Sequence, residues 1–532
     1  MNPLSNPLIQ ETFTGVFQLV APEIALLGTA CIAFLFGCLY NRRWLWFVVS
    51  SVGVVLAAIL AGTVKTHMPP VVTSAPIIPD AIAEFIRWVA IIAAALLLFV
   101  SWAEVSHAIA AEYYGCLLVV VAGVSLVGRA NDLITLFLSL ELISIPTYIM
   151  LYLPARTRLN QEAAVKYFLL SVMSSAILLF GFSYLYGLAG STNLIVIVDA
   201  LTKANAETLS PMALLAIVMV VAAMGFRISA VPFHFYAPDV YEGGPAGVVA
   251  QLAFFPKVAG FAVLIRLLGL VGTNPLHLVG IDAVHLPFDA KSQLPLLLWI
   301  LAILTMTFGN VLALLQDNIR RMLAYSSVAH AGYMLIGVVV ASSLPDLQHG
   351  PAIGGINGLL LYLVAYGMMT IGAFTVILYI NTADRPIESI DDLAGLSHTH
   401  PISATAMAIF LFSLIGLPLT AGFVGKFLLF IGAFSAPSDT PTMRNLYQLL
   451  AVIASLNAAV GAFYYLRVIG VMYLRTPLRP VTGSGAIPTL LASVALAGAT
   501  LFFGVYPDPL ERAARKAAPV PQIPTKASAQ TH

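Results

Sequence analysis

PMALLAIVMVVAAMGFRISAVPFHFYAPDVYEGGPAGVVAQLAFFPKVAGFAVLIRLLGL, residues 211–270, is the stretch that decides the fold. It contains two long apolar runs, separated by the segment VPFHFYAPDVYEGGP. An α-helix of about 20 residues, rising 1.5 Å per residue, crosses roughly 30 Å of hydrocarbon. Neither run shows the alternating pattern, about ten residues long, that a membrane β-barrel strand needs. The stretch therefore predicts two membrane-spanning helices, the first of them interrupted.

The same pattern recurs along all 532 residues. Hydrophobic residues make up 60% of the chain and charged residues 9%, whereas a soluble domain carries about 25% charged residues. The net charge of +1, without a basic block, gives no reason to expect nucleic acid or an acidic partner. We predict an all-α polytopic membrane protein of about 14 transmembrane helices. These are placed at 17–39, 44–64, 82–102, 113–129, 131–153, 164–188, 211–242, 246–271, 293–315, 322–342, 356–381, 402–434, 446–474 and 486–507.

Two of these helices, the seventh and the twelfth, are predicted to be discontinuous. The breaks are VPFHFYAPDVYEGGP and IGLPLTAGF, and corresponding breaks in two halves of a membrane protein indicate an inverted repeat. We therefore predict two inverted five-helix repeats, 113–271 and 293–474. Residues 1–112 form three N-terminal helices, and 475–532 form the last helix and a short tail, expected to be disordered after Pro507.

The distribution of basic residues predicts the orientation in the membrane. With the N-terminus outside, most loop arginines face the cytoplasm, and both termini lie outside. These are Arg42, Arg43, Arg156, Arg158, Arg320, Arg321, Arg385, Arg475 and Arg479. The first 18 residues lack a basic region and a cleavage site, so no removable signal peptide is expected. The long connections 65–81 and 383–400 are expected to be solvated loops.

The sequence offers no candidate for a bound cofactor. Cys31, Cys38 and Cys116 lie in apolar stretches without CxxC spacing, so we expect buried, inert thiols. No iron–sulfur, haem, flavin or nucleotide motif occurs. We expect no metal and no cofactor on this chain, and any redox chemistry in another chain.

Four ionisable residues fall inside predicted helices: Glu141, Arg227, Lys257 and Lys426. Such a residue costs about 2.5–3.5 kcal/mol at the membrane centre and rarely persists without a partner or a function. Each has a proline within about eight residues, which leaves one helical carbonyl without its donor. The four prolines are Pro146, Pro232, Pro256 and Pro418. An ionisable side chain next to an unpaired backbone carbonyl is tolerated in a membrane where water can reach both groups, which favours a hydrated cavity. We therefore interpret these sites as parts of a proton path.

Polar residues at helical spacing extend two of these sites. Ser144 and Tyr148 share a face with Glu141, and Ser326, His330 and Tyr333 share another. A neutral histidine can pass a proton along such a row, although His330 could equally be a satisfied interhelical hydrogen bond.

The buried cations differ in the roles they can take. We predict Lys257 and Lys426 to be proton carriers, because an apolar environment weakens a lysine's hold on its proton and a nearby carboxylate strengthens it. Arg227 is a fixed positive charge, since guanidinium is not deprotonated in proteins.

Four further residues leave two interpretations open. Lys166, at the start of the sixth helix, is either an interfacial anchor or part of the path. His234 and Asp239 could cap the second half-helix or line an entrance. Glu23 could contact a neighbouring helix or take part in transport.

Four strings, LELISIPTY, VPFHFYAPDVYEGGPAGV, LAYSSVAHAGYMLIG and LPLTAGFVGKF, resemble the antiporter-like subunits of respiratory complex I. PDVYEGGP is similar to the form found in the subunit N branch (subunit 2 in chloroplasts), whereas sister subunits M and L carry PDAHTEAP-like or PDAMEGPTP-like strings. The resemblance implies a proton-translocating membrane-arm subunit of a bacterial inner-membrane NADH:quinone oxidoreductase. Its partners would be M-like and K/J/A-like subunits, lipid, protons and water. NADH, FMN, iron–sulfur clusters and quinone would be bound by other subunits.

The resemblance also implies roles for single residues. Glu141 matches the family's fifth-helix glutamate, Lys257 its eighth-helix lysine and Lys426 its twelfth-helix lysine. Arg227 stands where the family usually has a lysine, which argues against a mechanism in which that group loses its proton. Lys166 falls where the family commonly has a lysine.

The expected mechanism is that Arg227 moves relative to Glu141, and Lys257 then passes a proton toward Lys426 through His330. Two alternatives remain open at this point: an Mrp-type cation/proton antiporter subunit, and a non-pumping structural subunit of the membrane arm. A quinone-binding enzyme is the weakest alternative, because no electron-donor site is visible.

Overall fold

The computed structural model describes residues 15–63, 75–154, 157–203, 211–268, 293–341, 354–381, 387–436, 441–476, 483 and 485–518. Within these ranges the chain is helical and has no β-strand, only isolated bridges. The main helices are α1 Ala21–Gly37, α2 Arg43–Thr63, α3 Ala81–Val100, α4 Ala110–Arg129, α5 Leu133–Tyr152, α6 Arg158–Ala189, α7a Pro211–Ile228, α7b Ala237–Gly243, α8 Ala246–Leu267, α9 Gln293–Leu314, α10 Ile319–Ala341, α11 Ile356–Ile380, α12a Pro401–Ile415, α12b Ala421–Phe434, α13 Pro441–Leu474 and α14 Ile487–Val505.

The helix count agrees with the sequence. Twelve of the described helices are long and apolar enough to cross a membrane. The shorter α1 and the broken α12 each supply one further span, which gives the predicted fourteen. The largest error in a boundary is at α6, which begins at Arg158 rather than near residue 164, because the Thr157 side chain caps it.

The two predicted breaks are present, at residues 229–236 in helix 7 and 416–420 in helix 12. Pro146 and Pro256, by contrast, lie inside the continuous helices α5 and α8. A proline within a membrane helix is tolerated where neighbouring helices surround it, and α8 is entirely buried within its span. The boundaries of the two repeats stay a prediction.

Two of the candidate residues, Lys257 and His330, lie on the most buried helices of the bundle, α8 and α10. Burial within the span is 100% for α8, 94% for α10 and 89% for α11, but only 33% for α2 and α14. The outer helices carry exposed apolar side chains such as Leu35 and Phe463, as expected for a surface in contact with lipid. The centre of the protein is therefore where an ionisable side chain is best shielded from lipid.

Three expectations are corrected by the structure. Cys31 and Cys38 are exposed and only Cys116 is buried, because α1 is peripheral and buries just one face.

The tail is not disordered from Pro507: Asp508–Ala517 is a helix whose acidic first turn and basic last turn favour the helix dipole. The acidic connection is not simply solvated, since Ile390 and Leu393 are buried in a 3-10 turn that begins with a Ser389 capping box. Residues 382–386 and most of the 65–81 connection lie outside the described ranges.

Candidate functional site

Glu141 on α5 and Arg227 near the end of α7a face each other without forming a hydrogen bond. Arg227 Nη2 lies 3.6 Å from Glu141 Oε1. Glu141 accepts a hydrogen bond from Ser175 Oγ at 2.6 Å, and Arg227 Nη1 donates to Ser144 Oγ at 2.9 Å. Each charge is thus held by a serine while attracting the other across a short gap. The separation of the two charges can change without breaking backbone structure.

The break in helix 7 places Arg227 in the last turn of α7a. α7a ends at Ile228, since Pro232 has no N–H to donate to the carbonyl four residues earlier. Within the break, the backbone N–H of Val231 has no helical acceptor and donates instead to Thr305 Oγ1 of α9, at 3.1 Å. A break at membrane depth is stable only with such partners.

Lys257, in the middle of α8, donates to one hydroxyl group that two tyrosine hydroxyls also contact. Its Nζ donates to Ser327 Oγ of α10 at 2.5 Å. Tyr366 OH also donates to Ser327 Oγ, at 2.8 Å, and Tyr241 OH lies 3.1 Å from the same oxygen. Since the serine oxygen already accepts two hydrogen bonds, its own proton is directed at Tyr241. The Lys257 side chain is 1% exposed, and no carboxylate among the described residues pairs with it.

His330, one turn after Ser327 on α10, has both ring nitrogens occupied. Nδ1 lies 2.5 Å from Tyr362 OH, and Nε2 lies 3.0 Å from Tyr465 OH. A neutral imidazole has one donor and one acceptor, so one tyrosine donates to the ring and the other accepts from it. Tyr465 is also hydrogen-bonded to Ser326. Reversing the three hydroxyls would exchange the tautomer of His330 without moving heavy atoms.

Two tyrosine rings separate His330 from the lysines on either side. The Tyr366 ring is 5.4 Å from Lys257 Nζ and 5.5 Å from the His330 ring. The Tyr333 ring is 5.6 Å from the His330 ring and 4.8 Å from Lys426 Nζ. Aromatic faces attract cations without accepting their protons. The residues therefore follow one another in the order Lys257, Tyr366, His330, Tyr333, Lys426, with a tyrosine ring between His330 and each lysine.

Lys426, on α12b, binds the end of the other half-helix. Its Nζ donates to the carbonyls of Leu414 and Ile415 at 2.7 and 3.1 Å. Leu414 is the residue whose carbonyl was predicted to lose its donor to Pro418. A cation at a helix C-terminus is favoured by the dipole, and Gly416, with φ of +91°, allows the chain to turn there.

A side branch of polar groups leads from Tyr464, next to the His330 partner Tyr465, to Tyr333. Tyr464, beside Tyr465 on α13, donates to Asn310 Oδ1 at 3.0 Å. Asn310 Nδ2 donates to Tyr333 OH at 2.9 Å and to Met306 O at 2.8 Å. The Met306 carbonyl fixes the orientation of the amide, because the opposite orientation would bring two carbonyl oxygens together.

Lys166 lies in an ion-pair network at one end of the bundle. Its Nζ is 2.7 Å from both Asp239 and Glu162, and Arg321 Nη1 is 2.9 Å from Asp239 and 2.7 Å from Glu242. Asp239 therefore joins α6, α7b and α10 rather than capping α7b, which has no side-chain cap. His234 is apart from this network and lies beside the Tyr325 ring, 6.4 Å between centroids.

Glu23 is part of a second buried cluster, away from the row. Arg87 of α3 binds it with two hydrogen bonds of 2.9 Å, and Ser125 of α4 donates to it. Glu23 thus contacts neighbouring helices, which was one of its two predicted roles. Arg87 was missed in the sequence, although the cost of a charge inside predicted helix 82–102 would have identified it.

The structure brings together Glu141 with Arg227, and Lys257 with His330 and Lys426, but it places Lys166 elsewhere. Tyr148 donates to Ser171 at 2.7 Å, so the predicted polar face of α5 contacts α6. The partners that sequence reasoning missed are uncharged and come from other helices: Ser175, Asn310, Ser327, Tyr362, Tyr366, Tyr464 and Tyr465. No group of three or more His, Cys, Asp or Glu side chains in the described ranges could hold a metal ion.

Glu23 lies outside the segment that matches a known family, whereas six candidate residues lie within it: Glu141, Lys166, Arg227, Lys257, His330 and Lys426. Residues 130–448 match the transmembrane family described as NADH:quinone oxidoreductase/Mrp antiporter. NADH-quinone oxidoreductase subunit N of Trichlorobacter lovleyi is 38% identical over 447 residues, which cover 83% of this chain and 84% of that protein. A chain of respiratory complex I from Thermus thermophilus with bound aureothin is 27% identical, with a TM-score of 0.72 over 92% of this chain and 98% of its own. A chain of the Mrp complex from Dietzia sp. has a TM-score of 0.75 over 94% of this chain and 96% of its own, but at 19% identity it is alike in fold alone.

Proposed function

Because the chain belongs to the NADH:quinone oxidoreductase/Mrp antiporter family of membrane subunits, and within it to the subunit N branch, we propose that it moves protons across a bacterial inner membrane. The carriers are Lys257 and Lys426, His330 exchanges protons between them, and quinone reduction in neighbouring subunits supplies the energy.

One observation carries this proposal: two buried lysines, with no carboxylate partner in the described ranges, lie on either side of a hydrogen-bonded histidine, and one tyrosine ring separates each lysine from it. A lysine locked in an ion pair would keep its proton, and a lysine in a purely apolar site would not regain it. Hydroxyl and carbonyl partners accept hydrogen bonds from the charged amine and tolerate the neutral one. Such a site suits a group that changes charge during each cycle.

The proposed trigger is the gap between Arg227 and Glu141. If the pair closes, the arginine charge is neutralised and the positive field at Lys257 weakens, so Lys257 binds its proton more tightly. If the pair opens, the field strengthens and Lys257 releases the proton toward His330. Arg227 keeps its own charge throughout.

Partner subunits are proposed to cover the surface at Glu141 on α5 and the break in helix 12. The Glu141 side chain is 22% exposed, and at the break in helix 12 Leu417 is 40% and Leu419 66% exposed. Irregular backbone and a carboxylate cannot face hydrocarbon at membrane depth. M-like and K/J/A-like subunits are the proposed neighbours, and lipid covers the remaining apolar surface.

The proposed topology places both termini on the periplasmic side, as the positive-inside rule predicts. Lys166 then belongs to the cytoplasmic end, together with Asp239 and Arg321 of its ion-pair network. NADH, FMN, iron–sulfur clusters and quinone are proposed to be bound by other subunits, since this sequence carries no motif for them.

The test is proton uptake by the assembled complex in liposomes during electron transfer to quinone. Lys426→Met should lower the number of protons taken up per electron, while Lys516→Met, an exposed lysine on the tail helix, should leave it unchanged. Undiminished uptake in Lys426→Met would favour a non-pumping structural subunit. Sodium flux in place of proton uptake would favour an Mrp-type cation/proton antiporter.

A further inference from the structure

The helix that carries Lys257 is held at both ends by acids that flank α3. Asp80 precedes α3 and Glu104 follows it, and both lie outside the segment 130–448 that matches the family. The proposed proton carrier is therefore anchored by a part of the chain that the family match does not include.

At its C-terminal end, α8 is fixed through Arg266. Arg266 Nη1 and Nη2 each lie 2.7 Å from an oxygen of Asp80, and Arg266 Nε donates to the Gly128 carbonyl at 2.9 Å. The Arg266 and Asp80 side chains are only 7% and 4% exposed. A two-fold hydrogen-bonded pair between planar groups, withdrawn from water, fixes orientation as well as distance.

At its N-terminal end, α8 has no cap of its own, because the N-cap residue is Pro245. Glu104 supplies one: Gly247 N donates to both carboxyl oxygens, at 3.3 and 3.1 Å. A Cβ on Gly247 would lie 2.6 Å from Glu104 Oε2, so a larger residue at this position would displace the carboxylate. An acid at this position satisfies a free N–H and favours the helix dipole.

Between these two anchors, α8 lacks one backbone hydrogen bond in the turn before Lys257. Pro256, directly before Lys257, cannot donate to the Leu252 carbonyl, so one helical hydrogen bond is missing in that turn. A helix with such a point bends easily unless its ends are held. We propose that Asp80 and Glu104 are positioning residues that hold the ends of α8 and so keep Lys257 in contact with Ser327.

This inference rests on the proposed role of Lys257, and its test separates the two. In the assembled complex, Asp80→Asn retains an N-cap for α3 but removes the charge that binds Arg266. We expect protons taken up per electron to fall at least twofold and the pH profile of uptake to shift. Asp80→Glu, which can still bind Arg266, should restore most of the ratio. The matched control is Asp391→Asn, whose partner Arg475 is 2.7 Å away in an exposed pair, and it should change neither readout.

A purely structural role predicts a different result: less assembled complex, with an unchanged ratio and pH profile. If Asp80→Asn does not assemble, Glu104→Ala tests the same anchoring at the other end of α8, because it removes the acceptor for Gly247 N, while Glu104→Gln keeps an acceptor and is the matched control. If Lys257→Ala lowers the ratio while Asp80→Asn and Glu104→Ala do not, the anchoring inference is wrong and the proton path stands. If Lys257→Ala itself leaves the ratio unchanged, the path fails and the inference fails with it.

Discussion

The guanidinium of Arg227 stops 3.6 Å from the carboxylate of Glu141, with each group hydrogen-bonded to a serine instead of to the other. A closed, two-fold hydrogen-bonded pair would neutralise both charges and resist opening. The observed geometry leaves the attraction in place and the movement free. In this geometry Arg227 acts through the electrostatic field of its positive charge and does not carry protons.

Replacing Arg227 tests that role. Arg227→Gln removes the field and leaves Glu141 without a cation, so we expect proton uptake per electron in the assembled complex to fall several-fold. Arg227→Lys keeps a positive charge beside Ser144, and at least half of the uptake should remain. Equal losses in the two variants would show that the guanidinium shape, rather than its charge, is what the site requires.

Ser327 is predicted to be as important to the path as the lysine it contacts. Ser327→Ala removes a hydrogen bond to a charged amine, worth about 1.5–3 kcal/mol, or roughly a 10- to 100-fold change in the population of the contact. We expect slower proton uptake with quinone reduction retained. Ser50→Ala is the matched control, because the Ser50 hydroxyl is buried and has no hydrogen-bond partner in the described ranges. Identical uptake rates in the two variants would remove Ser327 from the path.

Helix 12 depends on the close approach of its two halves. A Cβ on Gly422 would collide with the Ser413 carbonyl oxygen, whereas one on Gly498 would meet open space. We expect Gly422→Ala to lower the free energy of unfolding by about 3 kcal/mol, and Gly498→Ala to leave it unchanged or raise it by about 0.5–1 kcal/mol. Thermal unfolding of the purified protein measures both. A Gly422→Ala protein as stable as the unaltered one would mean that the half-helices do not meet here.

The buried carboxyl of Glu104 is expected to make the stability of the folded protein depend on pH. Withdrawal from water raises the pKa of its carboxyl from 4.5 to about 7. Between these values the unfolded chain has released a proton that the folded chain still holds, so stability falls as the pH rises from 4.5 to 7 and changes no further above that. The full difference is about 3 kcal/mol. Melting temperatures at about pH 5 and about pH 8 should differ less in Glu104→Gln than in the unaltered protein. An equal difference in both would assign the pH dependence to other groups.

The sequence was sufficient for the spans, for both breaks and for the burial of three cations, Arg227, Lys257 and Lys426. Each of these depends on local properties: apolar length, proline and the cost of a charge in lipid. It was not sufficient for the connections between them. Ser327 looks like any serine in an apolar helix, and its contact with Lys257 joins residues 70 positions apart. Tyr465 is 135 positions from His330. Helical periodicity indicates which residues share a face, but not which other helix that face meets.

The account depends on Lys257 changing its protonation state in each cycle, and one measurement tests this most directly. Protons taken up per electron are counted in liposomes that contain the assembled complex with Lys257→Ala, under conditions where quinone reduction continues. We predict a lower ratio than in the unaltered complex. A ratio equal to that of the unaltered complex would contradict the account and leave the buried lysine a structural charge.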